Sequence, residues 1–145
     1  MTAELEIREA RDARERDAAL AVRHAVFVGE QRVPRDLEVD GRDDDAVHLV
    51  ALRDGALVGT CRLLPGGATV LLGRLAVDPA ARRQGIASRL LAAAEAWSRA
   101  HRARRLALSA QTYAMGLYER AGYEAVGEPF MEAGIEHIHM ERDLG

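Results

Sequence analysis

A short run of basic and small residues carries the clearest chemistry in this sequence. It reads Arg82-Arg83-Gln84-Gly85-Ile86-Ala87-Ser88 and lies between a strand-like run and a helix-like run. The first turn of a helix has unpaired N–H groups at the positive end of the helix dipole, which favour anions. Gly85 would let a bulky diphosphate approach the backbone, and the arginines would add charge-assisted contacts. The run predicts a phosphate site; the alternative is an ordinary helix start with two solvated arginines.

The flanking elements would position this run. Residues 71–77 are apolar and β-rich, and Asp78-Pro79 ends them because proline fixes φ and lacks a backbone donor. The residues from 86 to about 101 have a helical period. Its apolar stripe consists of Ile86, Leu90, Leu91, Ala94 and Trp97.

Other elements follow from periodicity and turn signals, such as Asp54-Gly55, which predicts a hairpin. The predicted strands are short and bounded by turn residues: 5–10, 46–53, 56–64, 68–77, 104–110, 123–126 and 135–141. The predicted helices are 14–28, which Gly29 would end, 86–101 and 112–120. A strand, a helix and a strand around the arginine run imply a right-handed parallel crossover. The predicted fold class is α/β, with a mixed α+β sheet and helices on both faces.

The arginine run resembles the acyl-CoA signature of the GNAT superfamily of N-acetyltransferases, which is Gln or Arg, two residues, Gly, one residue, and Gly or Ala. Residues 74–79 resemble that family's fourth strand. The resemblance implies a mostly antiparallel sheet in which one parallel pair splays apart to admit the pantetheine arm. It also implies acetyl-CoA as co-substrate and an amine, most simply of a small molecule, as acceptor.

Both ends of the chain are also similar to the ElaA/YjcF-like branch of this family. Near the amino terminus the matching positions are Arg23, Val26-Phe27, Glu30-Gln31, Glu38, Asp40, Asp45-Ala46 and His48. Towards the carboxyl terminus they are Ala110-Gln111, Gly127-Glu128, Phe130, Glu132, Gly134-Ile135, His137 and Met140. One departure concerns the fifth strand, where family members often have an asparagine and this chain has Ser109 and Gln111.

The resemblance assigns roles residue by residue. The cofactor-binding positions form two groups. The strand residues that hold the pantetheine and polarise the thioester are Leu75, Ala76 and Val77. The residues that hold the diphosphate are Arg82, Arg83, Gln84, Gly85, Ile86, Ala87 and Ser88. Tyr118 matches the tyrosine that protonates the leaving thiolate. A phenol suits that task because its pKa of about 10 keeps it protonated at neutral pH. The alternative for Tyr118 is a packed helix tyrosine.

Several residues are candidates for the general base, and the sequence does not choose between them. Glu30, Glu38 and His137 are the catalytic candidates, with Asp40 and His48 as further possibilities, and the family also uses ordered water. His137 and His139 alternate along a strand and so share a face, but two histidines without a third ligand predict no metal site. The acidic segment from Glu30 to Asp45 is too long for a simple connector. It would attract a cationic amine, or it is a solvated edge.

Composition limits the remaining function classes. A chain of 145 residues suits one domain, 1–145, and the net charge of −3 disfavours nucleic acid as a partner. The sequence contains no lysine and a single cysteine, Cys61, which excludes an intramolecular disulfide. We expect no membrane partner and a cytoplasmic location, since no signal peptide or spanning run is evident. The resemblance is the basis for expecting a homodimer, and the rival function is a non-catalytic acyl-CoA-binding module.

Overall fold

A computed structural model describes residues 4–145 of the chain. Seven strands form one sheet in the order β1-β2-β3-β4-β5-β7-β6. Their bounds are β1 Leu5–Glu9, β2 Val47–Arg53, β3 Ala56–Gly66, β4 Thr69–Val77, β5 Arg105–Gln111, β6 Glu124–Glu132 and β7 Ile135–Asp143. The pairs are antiparallel except β4 with β5, which is parallel. This confirms the predicted mixed sheet with one parallel pair.

Four α-helices and several short helical turns connect the strands within the described residues. The α-helices are α1 Ala13–Arg23, α2 Arg35–Glu38, α3 Ile86–Ala100 and α4 Met115–Arg120. A π-helical segment, His24–Glu30, continues α1, and 3₁₀ turns occupy Asp43–Asp45, Pro79–Ala81 and Thr112–Ala114. None of the helices described in residues 4–145 is long and apolar enough to cross a membrane.

Two predictions for residues 14–45 were wrong. Gly29 does not end the first helix, because the chain widens into the π-helical segment and stays helical to Glu30. The segment from Glu30 to Asp45 is not wholly irregular, because it contains α2 and a 3₁₀ turn. Such π segments are frequent at functional sites. Here the segment places Glu30 beside the start of α3.

The helices lie on both faces of the sheet, as predicted. Alternate residues of β2 point to opposite faces. Leu49 and Ala51 join the larger core with Leu90 and Leu91 of α3, whereas Val50 joins a smaller cluster beneath α1. The larger core also takes in Leu108, Tyr118 and Met140, so α4 lies on the same face as α3. Helix α1 packs on β2, β3 and β4 on the other face.

Candidate active site

A cleft opens where β4 and β5 diverge. The two strands pair from Thr69 to Leu71 and from Arg105 to Ala107, and they then separate. The cleft between them has a volume of about 1170 Å³. It is lined by β4 from Leu71 to Val77 and by Leu108, Ser109 and Gln111 of β5. The divergence of β4 and β5 therefore leaves an opening between two neighbouring strands in the middle of the sheet.

A bulge in β4 shapes one wall of this cleft. The register between β3 and β4 shifts by one residue near Cys61, and Arg74 adopts a positive φ of 54°. Bulges redirect side chains and are common beside active sites. The Arg74 guanidinium donates hydrogen bonds to the carbonyls of Leu37 and Glu38, 3.3 and 3.1 Å away. This arginine thus ties α2 to the strand.

The arginine run, residues 82–88, forms a tight turn onto α3. Gly85 precedes the helix with a φ of 76°, and no side chain among the described residues caps this end. The first bond inside the helix runs from the Arg89 N–H to the Gly85 carbonyl, so the N–H groups of residues 86–88 have no helical acceptor. A Cβ at Gly85 would point into open space, with no described atom within 4 Å. Ala87 lines the cleft, whereas the Ile86 side chain is buried in the core.

Two side chains of the run, Arg82 and Gln84, already have protein partners. Arg82 forms a two-point ion pair with Glu30, with N–O distances of 2.7 and 2.5 Å. Arg53 donates a hydrogen bond to the side chain of Gln84. Arg82 holds the pKa of Glu30 below its ordinary value. Glu30 is therefore a carboxylate bound to a guanidinium rather than a free base.

Tyr118 reaches the cleft from α4. Its ring is buried against the core and stands edge-on to Tyr123, with 6.0 Å between ring centroids. Burial raises the pKa of Tyr118 to about 12. Among the described residues its hydroxyl has no hydrogen-bond partner, although Tyr118 lines the cleft. The hydroxyl is therefore a protonated donor available to a ligand.

The acidic segment is neutralised by arginines. Glu38 is buried and accepts a hydrogen bond from Arg23 at 2.7 Å. Asp40 accepts two from Arg62, both at 2.8 Å, and its pKa is lowered by that contact. Asp43 accepts from Arg23 at 2.7 Å. The structure thus favours an internal ion network for this part of the segment over a surface that attracts cations.

The histidine candidates lie in two different parts of the structure. His137 and His139 line the cleft, whereas His48 lies beside a separate 180 Å³ pocket and its Nε2 is 2.8 Å from the Asp43 carbonyl. The Nδ1 of His137 is 2.7 Å from the Ile135 carbonyl. Because a carbonyl only accepts, that nitrogen carries the proton and Nε2 keeps its lone pair. His137 is thus the catalytic candidate that lines the cleft and whose other ring nitrogen, Nε2, has no hydrogen-bond partner among the described residues.

Sequence reasoning missed two features of this site. It did not identify Arg74 as a wall residue, although a charge between Gly73 and Leu75 interrupts an otherwise apolar strand. It also missed the contact between Gln31 and Gln111, whose side chains meet at 2.7 Å across the cleft. Those glutamines are 80 positions apart, so no local pattern could have paired them.

The fold and the cleft are those of an acyl-group transferase. An acyl-CoA N-acyltransferase from Pseudomonas aeruginosa is 36% identical, with a TM-score of 0.82 over 97% of this chain and 99% of that one. Escherichia coli ElaA is 28% identical, with a TM-score of 0.83 over 97% and 99%. The Bacillus subtilis N-acetyltransferase YjcF is 32% identical over 126 residues, covering 86% of this chain and 90% of YjcF.

Residues 9–144 match the family model for the acetyltransferase (GNAT) domain. The chain therefore belongs to the GNAT family of N-acetyltransferases. This confirms the family that the arginine run indicated and the similarity to ElaA and YjcF.

Proposed function

We propose that this N-acetyltransferase takes the acetyl group from acetyl-CoA and passes it directly to the amine of a small molecule while both are bound. The observation that carries the proposal is one continuous cleft, which contains the divergent strands, Ala87 at the start of α3 and Tyr118. An aminoglycoside 6′-N-acetyltransferase solved with coenzyme A has the same fold, with a TM-score of 0.77 and 16% identity.

The residues present suit acetyl-CoA. Its diphosphate would lie against the N–H groups of residues 86–88, in the space that a side chain at Gly85 would enter. The pantetheine arm would follow the edge of β4 from Leu75 to Val77, which faces the cleft beyond the last pairing with β5. Acetyl-CoA supplies the activated acyl group when bound.

Two side chains would donate and accept the protons that the acetyl transfer moves. Tyr118 would donate its phenolic proton to the departing thiolate, since burial keeps the hydroxyl protonated and it has no partner among residues 4–145. His137 would accept the proton of the amine at Nε2. An unpartnered phenol in the cleft favours turnover over the rival function of a non-catalytic acyl-CoA-binding module.

The diphosphate site is tested by replacing Gly85 with alanine. The new Cβ meets no described atom of the protein, so the change costs about 1 kcal/mol of stability from the positive φ, yet it would crowd a bound diphosphate. We expect the Kd of acetyl-CoA, measured by calorimetry, to rise about tenfold.

The matched control is Gly55→Ala. Gly55 has a φ of 77° and equally open surroundings, but it lies in the β2–β3 turn. We expect the same stability loss and an unchanged Kd. Equal acetyl-CoA affinity in the Gly85 variant and the native chain would contradict the proposed diphosphate site.

The base is tested with a His137→Gln variant. Glutamine keeps a polar side chain of similar length but cannot take up the amine proton at neutral pH. We expect kcat/KM for the amine to fall about 30-fold. His139→Gln is the comparison, because His139 lines the same cleft but its Nε2 lies 3.2 Å from Glu141. Equal losses in the two variants would argue against His137 as the base.

A further inference from the structure

The end of the π-helical segment and the residue after it are bonded to both walls of the cleft. Glu30 forms its two-point ion pair with Arg82, which lies beyond the end of β4. Its neighbour Gln31 accepts a hydrogen bond of 2.7 Å from Gln111, the last residue of β5. All four residues line the cleft. Residues 30–31 therefore form a strap across the opening between the two divergent strands.

The Arg82 guanidinium lies on the path proposed for acetyl-CoA. Its Nε donates a hydrogen bond to the carbonyl of Val77, 3.3 Å away. Asp78 donates its N–H to Val58 of β3, so Val77, one residue earlier, directs its carbonyl to the other edge of β4, towards the cleft. That is the edge which the pantetheine arm would follow. A ligand that binds both this edge and the N–H groups of residues 86–88 therefore meets the Arg82 guanidinium.

Glu30 occupies the donors of Arg82 that a phosphate would use. Its carboxylate accepts from both terminal nitrogens, in the two-point geometry with which arginine also binds phosphate. The Arg82 and Glu30 side chains are 39% and 44% exposed, so the pair is accessible and contributes little stability. The pair of Arg62 and Asp40 also lines the cleft, but the Arg62 side chain is only 5% exposed. Of these two arginines, Arg82 is the one that an incoming anion reaches.

We propose that Glu30 is a positioning residue that sets the affinity for acetyl-CoA through Arg82, because the diphosphate takes this arginine over from Glu30 as the cofactor binds. This rests on the proposed acetyl transfer from acetyl-CoA and names the residue that competes with the cofactor. The bond between Gln31 and Gln111 carries no charge and takes no part in the exchange. Removal of the Glu30 carboxylate frees Arg82 in advance, so the cofactor then binds more tightly.

The experiment measures the Kd of acetyl-CoA by calorimetry for the native chain and for Glu30→Gln. Glutamine keeps the length of the side chain and removes its charge. We expect the Kd to fall about threefold to fivefold, the range that suits an exposed ion pair. A rise in the Kd would mean that Glu30 holds Arg82 ready for the phosphates, and it would overturn the proposal, as would an unchanged Kd.

The matched control for charge is Glu132→Gln. Glu132 lines the same cleft, and its carboxylate forms no ion pair among residues 4–145. Its replacement removes the same charge from the cleft without releasing an arginine. We expect the Kd of acetyl-CoA to change by less than about 1.5-fold, because exposed charges are screened by salt. Equal tightening in Glu132→Gln and Glu30→Gln would overturn the exchange at Arg82.

Two further variants separate the exchange from a loosening of the strap. Gln31→Ala breaks the strap's bond to β5 and leaves the ion pair intact, so the Kd should not change. In an Arg82→Ala background, Glu30→Gln should no longer tighten binding. Tightening in Gln31→Ala, or the same gain from Glu30→Gln with and without Arg82, would overturn the inference alone. Failure of acetyl-CoA to bind the native chain and every variant would overturn the proposed function and this inference with it.

Discussion

Tyr118→Phe is expected to lower kcat about a hundredfold while leaving the Kd of acetyl-CoA unchanged. The substitution removes the hydroxyl alone, and the ring keeps its place in the core beside Tyr123. Because the hydroxyl has no partner within the described part of the chain, its loss leaves no buried group unpaired and stability should change little. Steady-state release of CoA thiol gives kcat, and calorimetry gives the Kd.

The pH dependence follows from the state of the phenol. A proton donor works below its pKa, and burial raises the pKa of Tyr118 from 10.0 to about 12. The rate of the native chain should therefore not fall as the pH passes 10 on account of this residue. A descending limb centred near pH 10 that disappears in Tyr118→Phe would show an unshifted phenol and contradict the buried position.

Tyr123→Phe is the control for a change at the neighbouring ring. The Tyr123 hydroxyl donates a hydrogen bond to Glu95 at 2.8 Å, inside the core and beside Arg142. Its removal should cost about 1 to 3 kcal/mol of stability, because a buried carboxylate loses a donor. We expect kcat to be retained. A hundredfold loss of kcat in both variants would mean that packing, not proton donation, explains the effect at Tyr118.

Arg23→Ala is expected to lower the free energy of unfolding by about 3 to 5 kcal/mol. Arg23 and Glu38 are each 1% exposed, and their side chains meet at 2.7 Å. Alanine leaves the Glu38 carboxylate buried without that cation, and Asp43 loses one of its arginine contacts. The pair links α1 to α2, so the wall of the cleft that carries Leu37 should loosen with it.

Denaturant unfolding measures this effect, with Arg14→Ala as control. Arg14 lies on the same helix and is exposed, so its replacement should change stability by less than about 0.5 kcal/mol. A double variant, Arg23→Met with Glu38→Met, should recover much of the loss, because removing both charges avoids an unpaired buried carboxylate. A loss in Arg23→Ala no larger than in Arg14→Ala would rule out a stabilising role for the pair.

Local patterns predicted the order of the strands along the chain and the arginine run, residues 82–88, that leads into α3. The Asp54-Gly55 signal corresponds to a turn between β2 and β3, and Asp78-Pro79 ends β4 at Val77. The length of β6, in the hairpin from β6 to β7, was underestimated. Strand β6 runs to Glu132, beyond the predicted end at Val126, because a bulge around Gly127 interrupts its alternation without ending the strand.

The roles of the acidic residues depended on tertiary contacts. Glu30, Glu38 and Asp40 look alike in sequence as carboxylates in one polar segment. In the fold, Glu30 pairs with Arg82 across 52 positions, Glu38 with Arg23 across 15, and Asp40 with Arg62 across 22. A carboxylate's usefulness as a base depends on its partners and burial, which such distant contacts set.

The sequence by itself determined the family, the mixed sheet and the glycine turn that starts α3, because these depend on residue type and on spacing over a few positions. Only the tertiary structure decided where β4 and β5 separate, which side chains line the cleft, and which charges remain available. Those features arise from pairing between distant strands and from ion pairs among distant side chains. A local hydrophobic period carries no information about either.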